Sequence, residues 1–360
     1  MPRPDPAVTL KPGDAIGILG GGQLGRMLAL AAAPLGLRAH IFCPDKRSPA
    51  FQVADAISCN DYEDEGALAR FCASVDAVTY EFENIPEKTV AYVQARKPLR
   101  PSEQAFVTTR DRLTEKTFLN EIGVATAPYR AISSREALAA AAEALGFPCI
   151  AKTRRFGYDG KGQARLDDLG DVDAAWAALG TDQAILEAFV PFRCEVSAVI
   201  ARALDGSTRC FAITENAHQN HILARSRVPA RLPTDMAERA VQAAGKVVDA
   251  LGYVGVLAVE FFVTEDQLLA NEIAPRVHNS GHWTIEGAAV SQFTQHIRAV
   301  AGWPLADVPL RGAEIEMHNL LGDEIARWPA LLADPAAHLH LYGKRDARPG
   351  RKMGHVTWVR

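Results

Sequence analysis

Several features that would narrow the class of protein are missing from this 360-residue sequence. Its six cysteines form no C-x-x-C pair, a pattern that favours reduced thiols in a cytoplasmic protein over a disulfide or zinc framework. No apolar run reaches the roughly 18 residues that a membrane span needs. The opening Met-Pro-Arg-Pro-Asp-Pro has no apolar signal core. The net charge of −4 argues against a general nucleic-acid binder or an anionic-membrane binder.

The remaining composition is that of an ordinary globular protein, with 48% apolar and 23% charged residues. A chain of this length predicts two or three domains, each with an ample core. The three prolines among the first six residues predict a short disordered lead, which we place at residues 1–14. Alternating strands and helices over residues 15–110 predict a parallel α/β sheet.

The most informative stretch, residues 258–282, predicts two strands joined by a polar turn at residues 264–267. Glu260 and Glu272 each sit among apolar residues of one strand, so a hairpin could bring them close together. Two buried carboxylates at short range repel unless a cation lies between them. With Asn271 they supply only oxygen ligands, which favours Mg²⁺ or Mn²⁺. The alternative is that both carboxylates face solvent at a sheet edge.

A dense polar run, containing Arg276 and His278, follows the second strand at once and predicts a binding loop. Further along, we expect one helix over residues 287–301. Residues 215–218 are interpreted as a polar patch between strands.

The glycine turn Gly20-x-Gly22-x-x-Gly25, between a buried strand and a helix, matches the dinucleotide fingerprint. By itself it predicts a nicotinamide enzyme, with Asp45 placed to bind a ribose, or else a tight turn that binds nothing. Glu81 and Glu83 follow a later strand of the same sheet. They are candidates for contact with a small molecule, because open α/β sheets bind ligands at the carboxyl ends of their strands. The alternative is a helix cap with solvated acids.

Two basic, glycine-bearing segments predict phosphate contacts. Residues 153–163, directly after Lys152, resemble a flap over phosphates and lack the G-K-[ST] of a Walker motif. Near the C-terminus, Lys344, Arg351 and Lys352 could hold a phosphate monoester. A solvated basic loop is the alternative for each segment. Apolar strands that carry Glu187 and Glu195 would suit an adenine slot with a ribose-binding carboxylate, although composition alone does not establish it.

Seven stretches together resemble one family. They are GGGQLGRML, TYEFENIP, TRDRLTEK, AKTRRFGYDGKGQ, GYVGVLAVEFF, NEIAPRVHNSGHWT and YGKRDARPGRKMGH. These are similar to the N5-carboxyaminoimidazole ribonucleotide synthases of the ATP-grasp superfamily, from about Ala15 to Val359. The resemblance implies an α/β ATP-grasp fold with a Rossmann-like pre-ATP-grasp domain at 15–110. It further implies an ATP-grasp domain at 111–302, with a lid subdomain at about 120–190, and a substrate-binding segment at 303–360.

The resemblance also implies the reaction and its participants. ATP, bicarbonate and 5-aminoimidazole ribonucleotide would give the N5-carboxylated ribonucleotide through carboxyphosphate, in purine biosynthesis. The enzyme would use Mg²⁺, act as a homodimer in the cytoplasm, and have no nucleic-acid or membrane partner. Alternatives are another ATP-grasp ligase that uses formate or an amino acid, a nicotinamide-dependent dehydrogenase, and a non-catalytic nucleotide-binding regulator.

The resemblance also implies a binding or catalytic role for each residue that matches a family motif. ATP is assigned to Arg112, Lys152, the flap Gly157, Tyr158, Asp159, Gly160, Lys161, Gly162 and Gln163, and to Glu187, Ala188, Phe189, Val190, Glu195, His218, Asn271 and Glu272. The metal is assigned to Glu260 and Glu272, and catalysis at the bicarbonate and acyl phosphate to Arg276 and His278. The ribonucleotide is assigned to Gly22, Gln23, Leu24, Glu81, Tyr158, Asp159, Lys344 and Arg351. Phe156 stands in the flap where some relatives have glycine.

Overall fold

The structure is a computed structural model of the chain, and it describes residues 7–157 and 160–360. Tyr158 and Asp159, two predicted site residues, lie outside the described residues, as do residues 1–6. The described residues form three β-sheets with helices packed on their faces. No helix among them is both long enough and apolar enough to cross a membrane.

The first sheet is parallel and lies in the N-terminal part of the chain. Its strands are β1 (Ala15–Leu19), β2 (Arg38–Phe42), β3 (Ala56–Ser58) and β4 (Ala77–Tyr80), in the order β3-β2-β1-β4. Its helices are α1 (Gln23–Ala32), α2 (Glu65–Ala73), α3 (Glu87–Gln94) and α4 (Glu103–Thr109), with 3-10 turns at Ala33–Leu35 and Pro49–Gln52. Every residue of β1 and β4 is buried, as short continuous apolar runs predict for strands covered on both faces.

The second sheet is small and antiparallel. Its strands are β5 (Tyr129–Ile132), β6 (Cys149–Thr153), β7 (Gln163–Leu166) and β8 (Ala184–Ala188), in the order β5-β8-β6-β7. Helix α5 (Arg112–Glu121) precedes it, and α6 (Arg135–Leu145), a 3-10 turn (Leu169–Asp171) and α7 (Val172–Leu179) follow within it. Alternate strand residues such as Ala151 and Leu186 pack with α6 and α7. Lys152 and Glu187 therefore fall on the opposite face, which is turned to the cavity described below.

The central sheet has nine strands. They are β9 (Cys194–Arg202), β10 (Thr208–Cys210), β11 (Thr214–Gln219), β12 (Ile222–Val228), β13 (Gly255–Val263), β14 (Leu268–Ala274), β15 (Ile315–Leu321), β16 (Ala337–Leu341) and β17 (Lys352–Val359). Their order is β14-β13-β9-β11-β12-β15-β17-β16, with β10 beside β9. The accompanying helices are α8 (Thr234–Ala250), α9 (Thr284–Gly287), α10 (Gln292–Val300) and α11 (Trp328–Leu332), with 3-10 turns at Asn279–Gly281 and Gly322–Arg327.

Alternation along the middle strands creates two cores, one on each face of the central sheet. On β13, Leu257 and Val259 pack in the cluster that contains α8. Val256 and Ala258 pack in the cluster that contains α1 and α10. The next residue on that second face is Glu260. On this face of β13, Val256 and Ala258 therefore belong to the core, and Glu260 lines a cavity.

Three expectations about the fold need correction. Within the predicted disordered lead, the Leu10 side chain is buried and its backbone N–H donates to the Ala301 carbonyl at 2.8 Å. Residues 215–218 belong to β11, because their backbone pairs with strands on both sides. The helix expected over residues 287–301 begins only at Gln292, since Ala288 is extended and Ser291 caps α10 through its hydroxyl; the short helix α9 before it ends at Gly287.

The C-terminal segment continues the central sheet through β15, β16 and β17. The strand pair β12·β15 makes this join, with Ser226 opposite Met317. The loop between β16 and β17 reaches the N-terminal domain, where the Gln52 amide donates to the Gly343 carbonyl at 3.0 Å. Residues distant in sequence are in this way brought to the rim of one cavity.

Candidate active site

A cavity of about 1230 Å³ lies where the three sheets meet. Most predicted site residues line it. They are Gly22, Gln23, Leu24, Glu81, Arg112, Lys152, Gly157, Gly160, Lys161, Gln163, Glu187, Ala188, Phe189, Val190, Glu195, His218, Glu260, Asn271, Glu272, Arg276 and His278, and Glu83 joins them. Gly162, Lys344 and Arg351 do not line this cavity.

Glu260 and Glu272 are direct cross-strand partners in the β13–β14 hairpin. The predicted turn closes this hairpin, since the Thr264 N–H donates to the Gln267 carbonyl at 3.0 Å. Both carboxylates line the cavity, and the Glu260 side chain is only 13% exposed. The alternative that both face open solvent is therefore wrong for Glu260.

The two carboxylates differ in how the chain balances their charge. Burial and the neighbouring Glu272 raise the pKa of Glu260 to about 7. Burial also acts to raise the pKa of Glu272, but Arg112, 3.2 Å away, and Lys152 outweigh it and lower that pKa. One acid of the pair is thus held ionised by cations, whereas ionisation of the other is unfavourable in its surroundings.

A divalent cation fits this donor set. The Asn271 side-chain oxygen is buried and has no hydrogen-bond partner in the described part of the chain, and Asn271 lines the same cavity. An unpartnered buried acceptor beside the mostly buried Glu260 and the partly exposed Glu272 is unfavourable unless a donor or cation completes it. Three side chains that offer only oxygen ligands suit Mg²⁺ or Mn²⁺.

Behind the hairpin, a buried ion-pair cluster joins two sheets. Glu187 on β8 lies 2.8 Å from the Lys152 ammonium and 3.4 Å from that of Lys116. Burial raises the pKa of Glu187, but the two lysines outweigh it and hold the pKa at about 2. Lys116 also donates to the Asn271 carbonyl at 3.2 Å. Lys116, on α5, therefore links Glu187 of the small sheet to the strand that carries Glu272.

The described part of the predicted flap lies over the cavity. The Gly157 carbonyl accepts from the Arg112 guanidinium at 3.4 Å, and the Thr153 N–H donates to the Gly162 carbonyl at 2.8 Å. Gly162 has a φ of +69°, a conformation that glycine adopts without strain. Phe156 takes a φ of +64°, which residues other than glycine adopt only rarely, and it is 66% exposed.

Glu195 and His218 form a pair on adjacent strands of the cavity wall, 2.7 Å apart. Burial lowers the pKa of His218, but the hydrogen bond and charge of Glu195 outweigh it and raise that pKa. Nearby, the rings of Phe192 and Phe262 stack with centroids 4.8 Å apart. This part of the wall combines flat apolar surface with a carboxylate, as the predicted adenine and ribose positions require.

The glycine turn of the first sheet is occupied by a side chain of the protein itself. The Glu81 carboxylate accepts from the backbone N–H of Gly22 and, at 2.5 Å, from that of Gly25. Burial raises the pKa of Glu81, and these two N–H groups act against that shift. The turn amides that a dinucleotide pyrophosphate would need are therefore already taken, so the nicotinamide interpretation of this motif is wrong.

Glu83 has a different contact from Glu81. Its carboxylate lies 2.8 Å from Nε of Arg276, and this pair joins the N-terminal domain to the loop after β14. His278 Nε2 lies 3.4 Å from the Glu260 carboxylate. Burial, with Arg276 and Lys352 nearby, lowers the pKa of His278 well below its usual value. Arg276 and His278 thus reach the same space as the acid pair.

Lys344 and Arg351 line a smaller pocket of about 220 Å³. Its other lining residues are Asp45, Arg47, Pro49, Arg345, Asp346 and Arg348. Five of these eight residues are cationic, so the pocket suits a small anion such as a phosphate monoester. The predicted ribonucleotide residues are accordingly divided between two neighbouring spaces.

Comparison with known proteins agrees with this architecture. Three family models match the chain, namely a ribonucleotide synthetase preATP-grasp domain at residues 14–109, an ATP-grasp domain at 117–293, and a phosphoribosylaminoimidazole carboxylase C-terminal domain at 316–360. The N5-carboxyaminoimidazole ribonucleotide synthase of Brucella melitensis is 51% identical over 98% of both chains. That of Pseudomonas aeruginosa is 46% identical over 95% of this chain and 93% of its own.

This chain belongs to the N5-carboxyaminoimidazole ribonucleotide synthase family.

Solved structures of the family superpose closely on it. A synthetase in complex with ADP has a TM-score of 0.94 and 41% identity, covering 100% of this chain and 94% of its own. The Aspergillus clavatus enzyme, in complex with ADP and 5-aminoimidazole ribonucleotide, has a TM-score of 0.90 and 30% identity, covering 96% and 94%. The ATP-grasp fold and the family resemblance are thereby confirmed.

Sequence reasoning missed some residues of this synthase site. Lys116 and Glu115 lie in the matched stretch TRDRLTEK, yet no role was assigned to them. Lys116 is 1% exposed, and the Glu115 carboxylate accepts from the Ile273 N–H at 2.5 Å. Charged residues inside a helix pattern are usually solvated, so their burial here depends on contacts with distant strands.

Proposed function

We propose that this synthase carboxylates 5-aminoimidazole ribonucleotide with ATP and bicarbonate, through carboxyphosphate, in purine biosynthesis. The observation that carries the proposal is the Glu260–Glu272 pair, which faces the cavity amid Arg112, Lys152 and Arg276. Such an arrangement gathers cations around a place where phosphate oxygens and a divalent ion would meet. Relatives named for this activity share more than nine-tenths of their length with the chain.

Bicarbonate is a poor electrophile because it is anionic, and phosphorylation by ATP converts it into a mixed anhydride. Negative charge develops on the transferred phosphoryl group, so positioned cations supply most of the stabilisation. Arg112 and Lys152 are positioned for this by Glu272 and Glu187 respectively. Arg276 is paired with Glu83 at 2.8 Å, and we assign it to the carboxyl end of the intermediate.

We assign the metal ligands to Glu260 and Glu272, with Asn271 beside them. When bound, Mg²⁺ would neutralise phosphate charge and supply Lewis-acid chemistry there. The chain contributes the spacing of the two acids, which the hairpin register sets. We assign the nucleotide base to the wall near Val190 and the ribose to Glu195.

The ribonucleotide is assigned to the space between the glycine turn and the small basic pocket. Its phosphate fits the pocket of Lys344 and Arg351, and its imidazole fits beside Gly22 and Glu81. The carboxylating intermediate hydrolyses readily, so the loop of residues 153–163 would protect it by excluding water.

The decisive experiment is an ADP-release assay with ATP and Mg²⁺, run with and without bicarbonate and 5-aminoimidazole ribonucleotide. We expect release to depend on both substrates and to match the formation of carboxylated product. Release that needs formate or an amino acid would identify another ATP-grasp ligase. ATP binding without ADP release would indicate a regulator.

The family resemblance also leads us to propose a cytoplasmic homodimer. Sedimentation of the purified chain tests the dimer, since a monomer at assay concentration would contradict it.

A further inference from the structure

Behind His278 lies a continuous chain of buried polar side chains. Ser280 follows it in the 3-10 turn, and Ser197, Asn216 and Ser226 come from β9, β11 and β12. Ser280, Ser197 and Ser226 are fully buried, and Asn216 is 6% exposed. Four polar side chains buried in a line across three strands and a turn are costly to keep unless each is satisfied by the next.

The hydrogen bonds of this relay run in one direction. Ser226 Oγ donates to the Asn216 carboxamide oxygen at 3.0 Å, and the Asn216 nitrogen donates to Ser197 Oγ at 3.1 Å. Ser197 Oγ then donates to Ser280 Oγ at 2.7 Å. Ser280 Oγ accepts from Ser197, so its own hydrogen is available for donation to His278 Nδ1, which lies 2.8 Å away.

The backbone of Ser280 supplies a second donor to His278 Nδ1, and this donor indicates independently that Nδ1 is an acceptor. The backbone N–H of Ser280 points to His278 Nδ1 at 3.4 Å, and a backbone hydrogen cannot be reassigned as a hydroxyl hydrogen can. A nitrogen that accepts from two donors carries no hydrogen of its own. The ring hydrogen must therefore be on Nε2, the atom that lies 3.4 Å from Glu260 on the cavity side.

The backbone of His278 is held as firmly as its ring. The Gln292 side chain accepts from the His278 N–H at 2.9 Å and donates to the His278 carbonyl at 2.7 Å. Gln292 is itself fully buried at the start of α10. With the ring fixed at Nδ1 and the backbone clamped on both sides, Nε2 has a single direction available.

We propose that the Ser226–Asn216–Ser197–Ser280 relay holds His278 in the tautomer with its hydrogen on Nε2, so that His278 donates a hydrogen bond to the carboxylating group. This rests on the proposed function for the identity of that group, an oxygen of bicarbonate or of its phosphorylated form. In this role His278 does not act as a base, because Nε2 already carries a hydrogen. The relay members act on the ring of His278, so we class them as positioning residues; Ser226, Ser197 and Ser280 lie outside the cavity lining, and Asn216 lies at its wall.

Nitrogen NMR of the ligand-free enzyme, labelled with ¹⁵N-histidine, tests the tautomer without any assumption about the reaction. The His278 signals are identified by their loss in His278→Gln. We expect a protonated Nε2 and an unprotonated Nδ1 in the wild-type protein. In Ser197→Ala we expect a minor population with its hydrogen on Nδ1, because the Ser280 hydroxyl can then accept from Nδ1 while the Ser280 N–H still favours the Nε2 form. A hydrogen on Nδ1 in the wild-type protein would overturn the proposal, even if the carboxylation assay succeeds.

Kinetics test the consequence. Ser197→Ala removes one neutral hydrogen bond from the middle of the relay. It should lower kcat about tenfold, while the KM for ATP stays within about twofold of the wild-type value. Ser226→Ala, at the far end, should give a smaller loss in the same direction. Unchanged kcat in both variants would refute the positioning role.

Thr79→Val is the matched control. It removes a fully buried hydroxyl that lies 2.8 Å from His296 Nε2, in a pair outside the cavity lining. We expect its kcat to stay at the wild-type value. A fall equal to that of Ser197→Ala would mean that any lost buried hydroxyl has this effect, and it would overturn the proposal.

Discussion

The two glycine-rich loops of this chain differ in what occupies them. In the turn from Gly20 to Gly25, backbone amides bind Glu81, and a Cβ at Gly22 would lie 2.8 Å from that carboxylate. In the loop of residues 153–163, carbonyl groups bond to Arg112 and Thr153, and cationic side chains line the cavity. The first loop is completed by the protein's own anion, whereas the second is built around space for an external one.

The acidic residues of the site differ in the same way, since some are balanced by groups of the protein and one is not. Glu81 satisfies backbone donors, and Glu187 is neutralised by two lysines. Glu260 keeps a pKa raised to about 7 by burial and by Glu272. Glu81 and Glu187 are thus balanced within the protein, and the unbalanced charge of Glu260 marks where a ligand enters.

The largest expected effect is at the unbalanced pair. Glu272→Gln should lower kcat by about a hundredfold or more, equivalent to at least about 2.7 kcal/mol of barrier, because it removes a charge from the proposed metal position. The fold should survive, since repulsion with Glu260 is relieved. Steady-state ADP release and thermal unfolding measure the two results. Glu265→Gln, in the exposed turn of the same hairpin, is the control and should leave both unchanged. Wild-type turnover in Glu272→Gln would remove the metal assignment.

The second effect tests whether the glycine turn is internally completed. Glu81→Ala leaves the amides of Gly22 and Gly25 without their acceptor, which should lower the free energy of unfolding by about 1–3 kcal/mol. Thermal unfolding of the ligand-free protein measures it. Glu83→Ala removes a carboxylate two residues away that holds the Arg276 side chain, so it should affect turnover more than stability. Equal melting temperatures for wild type and Glu81→Ala would contradict the structural role.

A third prediction concerns the cavity loop. Gly162→Ala forces a side chain into a φ of +69° with its Cβ 2.6 Å from Thr153 Oγ1, so the loop must shift. We expect kcat/KM for ATP to fall about tenfold, within the range that 1–3 kcal/mol of local strain produces. Gly180→Ala is matched in backbone conformation, with a φ of +63° and nothing within 4 Å of the added Cβ. Its kcat/KM should not change, and equal losses in both variants would show that loop position is irrelevant.

The smallest expected effect is in the basic pocket. Arg351→Gln should raise the KM for the ribonucleotide roughly three- to tenfold, because four other cations remain around the proposed phosphate. The KM for ATP should stay constant, which separates this pocket from the nucleotide site. Arg311→Gln, at an exposed position, is the control. A change in ATP affinity instead would move the phosphate assignment to the large cavity.

Local patterns in the sequence predicted much of this molecule. Period-two alternation and a four-residue polar turn predicted the hairpin and its paired acids, because strand periodicity and turn chemistry act over a few residues. The apolar runs of β1 and β4 predicted a buried parallel sheet for the same reason. The break at residues 288–291 was missed, since both flanking segments have acceptable helical composition.

Contacts between distant residues were decided only by the tertiary structure. Nothing local to Glu81 reveals that its carboxylate fills the glycine turn 56 residues earlier, and nothing near Lys116 predicts its burial against Glu187. The same holds for the relay behind His278, whose members come from separate strands. Sequence periodicity determines which face of an element a side chain occupies, but strand order determines which charges and donors meet there. That order depends on long-range packing, which no short stretch of this chain contains.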